Sequence, residues 1–368
     1  MRFPGFEGEW ESCELGEIAE LSKGAGISKD QRSSDGNPCI LYGELYTTYL
    51  TEIIDEVVSK TNLDPTGLVK SKANDIIIPA SGETAIDIST ARCVLHDDVL
   101  LGGDLNIIRL NEQDGKFFSY QLNGVRKKDI ARIAHGVSIV HLHGNALSHI
   151  VVNYPSRREQ EKISSLLSLI DQRIAIQNKV IEKYESLIKA ITRCLVHCNG
   201  HQCFLGDIAE IYQPKTITGL EMSNGGQYPV FGANGIIGHY KDYNHASPQI
   251  CIACRGNTCG VLNYTLPFSW ITGNSMVINV DSSASGVNKR FLFHLLSTVD
   301  YSPLISGSGQ PQIVRGPLRK LRITLPDKQC QDKNAQIIDC LIEKSNVEKA
   351  LLRKLQTQKN YFLTAVFI

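Results

Sequence analysis

No run of apolar residues in the sequence reaches the length of about 18 that a membrane-spanning helix needs. The first ten residues, Met1 to Trp10, contain no apolar core, so neither a membrane span nor a secretory leader is expected. Net charge is also missing: 38 basic residues balance 38 acidic ones, which excludes nucleic-acid binding by bulk basicity and leaves that task to local patches. The 11 cysteines are odd in number and form no compact disulfide framework, which predicts a reducing, cytoplasmic setting. Three catalytic signatures are absent: Asn-Pro-Pro-aromatic, the phosphate-cradling G-x-x-x-x-G-K-[ST], and the zinc-binding H-E-x-x-H. No catalytic apparatus is therefore expected in this chain. Glycine and proline are missing from two long stretches, Ser156 to Asn199 and Asp327 to Ile368, and each of these predicts one long helix.

What is present is organised around those helices. Ile163, Leu167, Ile170, Ile174, Gln177, Ile181, Tyr184, Ile188, Ile191 and Leu195 recur at alternating spacings of four and three, a coiled-coil seam that requires a partner helix. The second stretch supplies one, with apolar pairs at Ile337/Ile338, Leu341/Ile342, Leu351/Leu352 and Tyr361/Phe362, although Ser345 and Glu348 interrupt its seam. At ~1.5 Å per residue each helix would reach ~60 Å, the length of a spacer between domains. Asn199-Gly200 is expected to end the first helix in a left-handed cap.

The 368 residues, 42% hydrophobic and 21% charged, have room for about two globular domains with connectors. They repeat. Leu15-Gly16-Glu17-Ile18-Ala19-Glu20 returns as Leu205-Gly206-Asp207-Ile208-Ala209-Glu210, an offset of 190. Leu147 to Pro155 returns as Leu318 to Pro326, an offset of 171, so the first unit is 19 residues longer between these landmarks. Strands are predicted at Ile76–Pro79, at Val99–Leu110 broken by Gly102-Gly103, at Tyr228–Gly238 and at Gln249–Ala253. Pro155 and Pro326 mark the entries to the two helices.

Trp10 before Leu15-Gly16-Glu17-Ile18-Ala19, the Tyr228–Gly238 stretch, the Gly307-Ser308-Gly309-Gln310 turn, and the two strand-proline-helix passages with Glu159-Gln160 and Cys330-Gln331 occur in this order. The whole resembles the specificity subunits of type I restriction-modification systems. Two departures are visible: Gly136-Val137-Ser138-Ile139 stands where the first copy would carry the Gly-Ser-Gly-Gln turn, and Cys330 stands where an acidic residue is usual. The resemblance implies an α+β chain with two similar α/β target recognition domains, separated by a pair of long antiparallel helices and related by a pseudo-two-fold repeat. The segments would be 1–155 for the first recognition domain, 156–199 for the first spacer helix, 200–326 for the second recognition domain and 327–368 for the second helix. It further implies a non-catalytic subunit that reads a split site in double-stranded DNA and docks two methyltransferase subunits, with restriction or translocase subunits as further candidates. The S-adenosylmethionine, ATP and magnesium chemistry would belong to those partners, leaving this chain without a cofactor or metal. A spacer suits such a task, because DNA presents the same face only about every 34 Å.

Candidate phosphate contacts are Arg126, Lys127, Lys128 and Arg132 in the first unit and Arg315, Arg319, Lys320 and Arg322 in the second. Candidate base readers are Tyr42, Glu44, Tyr46, Ser81 and Glu83 in the first, and Lys241, Arg255, Asn257 and Asn274 in the second, with Gln310 in its Gly-rich turn. Each has a bland counterpart: a solvated face for the cations, turn chemistry for the loop residues. Cys251-x-x-Cys254 with Cys259, the group Cys194, His197, Cys198, His201 and Cys203, and the histidines 135, 141, 143 and 149 raise a second possibility, a metal-dependent nuclease or hydrolase. Cys251 and Cys254 should face opposite sides of a strand, which argues against a knuckle. A coiled-coil adaptor without DNA contact is the third reading.

Overall fold

A computed structural model describes residues 5–197, 199–219, 222, 226–281, 286–307 and 309–367. The chain divides into two compact units, Met1–Lys179 with Ala350–Ile368, and Val180–Lys349. Each therefore combines a β-rich body with a stretch of both long helices.

In the first unit a five-stranded sheet runs in the order Ala19–Lys23, Leu105–Leu110, Ile76–Pro79, Arg92–Val94, Ile53–Ile54. Ile76, Ile77 and Ile78 are all completely buried because the sheet is covered on both faces. Alternation sends Ile76 and Ile78 into a core with Leu15, Phe117 and Phe118, and Ile77 into another with Ile40, Leu45 and Leu101. The second unit repeats the plan with four strands, Glu210–Tyr212, Ser275–Asn279, Ile250–Ala253 and Leu262–Tyr264. Ile250, Ile252 and Cys254 pack with Phe291 and Leu292, whereas Cys251 faces Phe231 and Ile271. A hairpin, Tyr228–Gly232 with Gly235–Tyr240, fills the expected Tyr228–Gly238 stretch, and Gly235 supplies the positive φ its turn needs.

The sequence repeat has a physical cause in each unit. Glu11–Glu14 pairs antiparallel with Val151–Tyr154, and His201–Phe204 pairs likewise with Arg322–Leu325. The following Leu15 and Leu205 are fully buried, and each donates its backbone N–H to the chain before the closing strand, at Ile150 and Leu321, both at 2.9 Å. Glycine is required next, since a Cβ on Gly16 would lie 2.9 Å from that of Ser148, and one on Gly206 would lie 2.9 Å from that of Arg319. Glu17 and Asp207 then accept from the backbone N–H three residues earlier, at 2.8 and 3.1 Å.

The long helices span Arg157–Val196 and Lys328–Ala365. Every expected seam residue of the first is buried or half-buried, Gln177 included. The two helices run antiparallel within each unit. In the first, Lys359 meets Asp171 at 2.7 Å while Phe367 shares a core with Ile163 and Leu167. In the second, Lys349 meets Glu185 at 2.6 Å and the Asn334 side-chain amide donates to the Leu195 carbonyl at 2.9 Å. The first helix closes at Val196, earlier than expected, and Gly200 is not in the left-handed region. Its role is close approach, because a Cβ there would sit 2.2 Å from the Leu325 carbonyl oxygen.

One glutamine in each helix ties it to its body. The Gln160 amide donates to the Pro155 carbonyl at 2.8 Å and accepts from the Asp114 backbone N–H at 2.9 Å, just ahead of the body helix Gly115–Asn123. Gln331 does the same between Pro326, at 2.9 Å, and Asn288, at 2.9 Å, ahead of the helix Lys289–Leu296. Both amides are buried, where an unmatched polar group would be costly. No helix among the described residues is long and apolar enough to cross a membrane.

Candidate nucleic-acid interface

The first unit gathers part of its expected readers. The strand Ser81–Gly82 pairs with Val140–His141. The Tyr46 hydroxyl lies beside Gly82, 3.6 Å from where a Cβ would stand. Burial raises the Tyr46 hydroxyl pKa, and Tyr42, Asp87 and Glu83 are close enough to add to the rise. Tyr42, Tyr46 and Glu83 thus border one patch, with Glu83 exposed and both tyrosines half-buried. Ser81 is buried in the strand floor, so its side chain is not offered to a groove.

Glu44 departs from the expectation. It is 6% exposed, and its carboxylate accepts from the Leu41 backbone N–H at 2.9 Å and from the Ser59 hydroxyl, with Arg32 at 3.5 Å. Both carboxylate oxygens are engaged inside the body and the side chain is buried, so it is not offered to a cytosine amino group. The basic triplet divides in the same way. Arg126 is half-buried and paired with Asp129 at 3.6 Å. Lys127 turns inward to the Thr90 hydroxyl at 3.1 Å, and burial, together with nearby Arg92, lowers its pKa. Arg132 binds Asp129 at 3.1 Å. Only Lys128 of the triplet is exposed. Positions +1 and +2 of a short helix point in different directions, which a linear reading of a charge run does not register.

In the second unit the expected residues converge better. The Cys254 N–H donates to the Asn274 carbonyl at 3.0 Å, and the Cys254 carbonyl accepts from Ile313 at 3.1 Å. Arg255 bridges to Gln312, while the Gly256 N–H donates to Pro311 at 2.9 Å. Arg255, Asn257, Asn274 and Gln310 therefore share one edge, and all four are exposed. Gly307 adopts positive φ in the adjoining turn, and Ser308 lies outside the described residues. Arg315 and Arg319 follow directly on the short helix Arg315–Arg319, with Lys320 and Arg322 beyond it. All four cations are exposed and have no carboxylate partner among the described residues; Arg322 lies over the Phe204 ring at 5.8 Å. Lys241 does not join them, since it follows the hairpin strand Gly235–Tyr240 in a different sheet.

Among the described residues the metal reading finds no site. Cys251 and Cys254 sit in separate cores, burial pushes the Cys251 thiol up to about 12, and no group of three or more candidate ligands occurs among the described residues. Cys198 lies outside them. Sequence reasoning missed Gln312, which faces Arg255, and Asp87, which accepts from the Thr84 hydroxyl at 2.6 Å beside Tyr46. The Thr84-x-x-Asp87 spacing was a legible capping signal for the latter.

Two β-rich bodies, each carrying an exposed polar edge and each clamped to an antiparallel helix pair, make this a duplicated chain built twice on one plan. The chain belongs to the type I restriction modification DNA specificity domain family, whose profile matches residues 7–186 and 202–357. A type I restriction enzyme EcoprrI specificity subunit of Escherichia coli is 30% identical over 112 residues, which is 30% of this chain and 27% of that protein. The similarity thus spans little more than a quarter of that relative. Among solved structures, the S subunit of a type I restriction-modification system from M. genitalium aligns over 100% of this chain and 99% of its own, with a TM-score of 0.68 at 18% identity. A chain from a structural study of complex assembly and conformational transition in a type I R-M system aligns over 98% of both chains, with a TM-score of 0.61 at 14% identity. These two share the fold.

Proposed function

We propose that this chain is the DNA sequence-specificity subunit of a type I restriction-modification enzyme. It reads a bipartite target in double-stranded DNA, one half-site per unit, and docks two methyltransferase subunits through its helices, with restriction or translocase subunits joining that assembly in the cytoplasm. Methyl transfer and DNA translocation, with their S-adenosylmethionine, ATP and magnesium, belong to the partner subunits. The observation that carries the reading is the family match through both units, supported by the exposed edge of Arg255, Asn257, Asn274 and Gln310 beside the free cations of residues 315–322. Arginine suits guanine, and asparagine or glutamine suits adenine; neighbouring cations hold phosphates and fix the register. Binding-site selection with the partner methyltransferase tests the proposal. Two short blocks separated by unspecified base pairs are expected, and a single continuous motif contradicts it.

A further inference from the structure

The two units treat equivalent places on their helices differently. The offset of 171 that relates Gln160 to Gln331 brings Lys359 onto Ile188 and Asp171 onto Ile342, so the second unit has apolar side chains where the first has its ion group. In the first unit Lys359 is almost covered, and its ammonium meets Glu52 at 2.6 Å and Asp171 at 2.7 Å. Glu52 comes from the body, so the body itself delivers a carboxylate to the helix pair. In the second unit the corresponding place is a groove of about 600 Å³ between the two long helices and the body helix Lys289–Leu296. Lys189 and Arg193 line it, and neither has a carboxylate partner among the described residues. Of the two carboxylates in the lining, Glu185 is taken by Lys349, and Asp300 accepts from the Ser302 backbone N–H at 2.9 Å. Ile188, Phe293 and Ile342 give the groove an apolar wall.

We propose that this groove receives an acidic segment of another protein chain, whose carboxylate sits on Lys189 and Arg193. A DNA phosphate fits less well, because the groove's apolar wall disfavours a strongly hydrated polyanion. An acidic side chain on an apolar loop satisfies both the cations and the wall. The proposal deepens the assembly part of the reading above, naming what a partner subunit brings to the second unit.

The test uses the complex purified from its host and treated with a carbodiimide, which joins a lysine amine to a carboxylate only where the two already touch. Lys349 with Glu185 is the internal control. A cross-link from Lys189 to an aspartate or glutamate of a different chain is expected, lost in Lys189→Arg, with at least tenfold lower partner recovery for Lys189→Glu/Arg193→Glu. Three results overturn the proposal: a control cross-link with Lys189 joined to nothing, a cross-link to a second copy of this chain, or charge reversal that spares partner recovery and weakens DNA binding. Recovery of the chain alone contradicts the assembly reading itself and the groove's occupant with it.

Discussion

Replacing Lys359 by methionine removes the cation from a nearly closed site in which the Lys359, Glu52 and Asp171 side chains are 14%, 9% and 8% exposed. Burial opposes the charge on Lys359, but the two carboxylates outweigh it and hold its pKa above the ordinary lysine value. Burial and then Glu52 hold Asp171 above the usual carboxylate range, with Lys359 and the Tyr120 hydroxyl, at 2.7 Å, working against the rise. Breaking one partner out of a buried ion group costs about 3–5 kcal/mol, because the remaining charges stay desolvated and unpaired. Replacing the whole group with neutral residues of similar size costs far less. Lys359→Met should therefore destabilise the docking of residues 350–367, and Glu52→Gln/Asp171→Asn/Lys359→Met should recover most of the loss. Two units in one chain make a single unfolding curve a poor readout, so the assay is amide hydrogen exchange on peptides from that helix end. At about 1.4 kcal/mol per decade, exchange should quicken by roughly two to three and a half powers of ten in the single variant. Unchanged exchange in Lys359→Met, or a triple variant as fast as the single one, refutes the reasoning. With its carboxylate partners ionised the folded pKa of Lys359 lies above its unfolded value, so this contribution holds up to about pH 10 and fades as pH rises further, and it is lost in acid as Asp171 takes up a proton.

Other outcomes follow from the same geometry. Gln160→Ala and Gln331→Ala each strand a buried N–H and a carbonyl, and each should cost about 1–3 kcal/mol, seen as faster exchange in its own unit with the other unaffected. Burial keeps the His294 imidazole below its ordinary pKa, against the pull of Asp339 at 2.7 Å. The unfolded chain then takes up the proton first, so the second unit should lose stability as pH falls below about 6.5 and stop losing it once the native imidazole titrates; a His294→Gln variant should flatten a melting-temperature profile over that range. Arg315→Ala with Arg319→Ala should weaken binding to all DNA sequences alike and reduce the slope of log affinity against log salt by about two. Exchanging residues 20–145 for those of a relative should change one half-site in a methylation assay and leave the other intact.

Much of this fold was legible in the sequence, and the reasons differ by element. The seam from Ile163 to Leu195 announced the helix pair because heptad spacing is a property of the backbone and needs no tertiary information. Leu15-Gly16-Glu17-Ile18 and its copy announced the duplication, but why glycine stands there came only from the approach of Ser148 and Arg319. Gln160 and Gln331 were visible as a repeated residue, yet their partners, Asp114 and Asn288, lie more than forty positions away and no local rule joins them. The site fared less evenly. Charge and loop context selected Glu44 and Arg126 as readily as Arg255 and Arg315, although the first two are engaged inside the body and the last two are not. Burial, which separates them, depends on how distant strands close over a side chain.

Mapping methylated bases in host DNA with this chain present and after its gene is deleted tests the central claim most directly. A bipartite motif, two short blocks at fixed separation, should be methylated when the chain is present and unmethylated without it. A methylation pattern that does not change on deletion would contradict the claim.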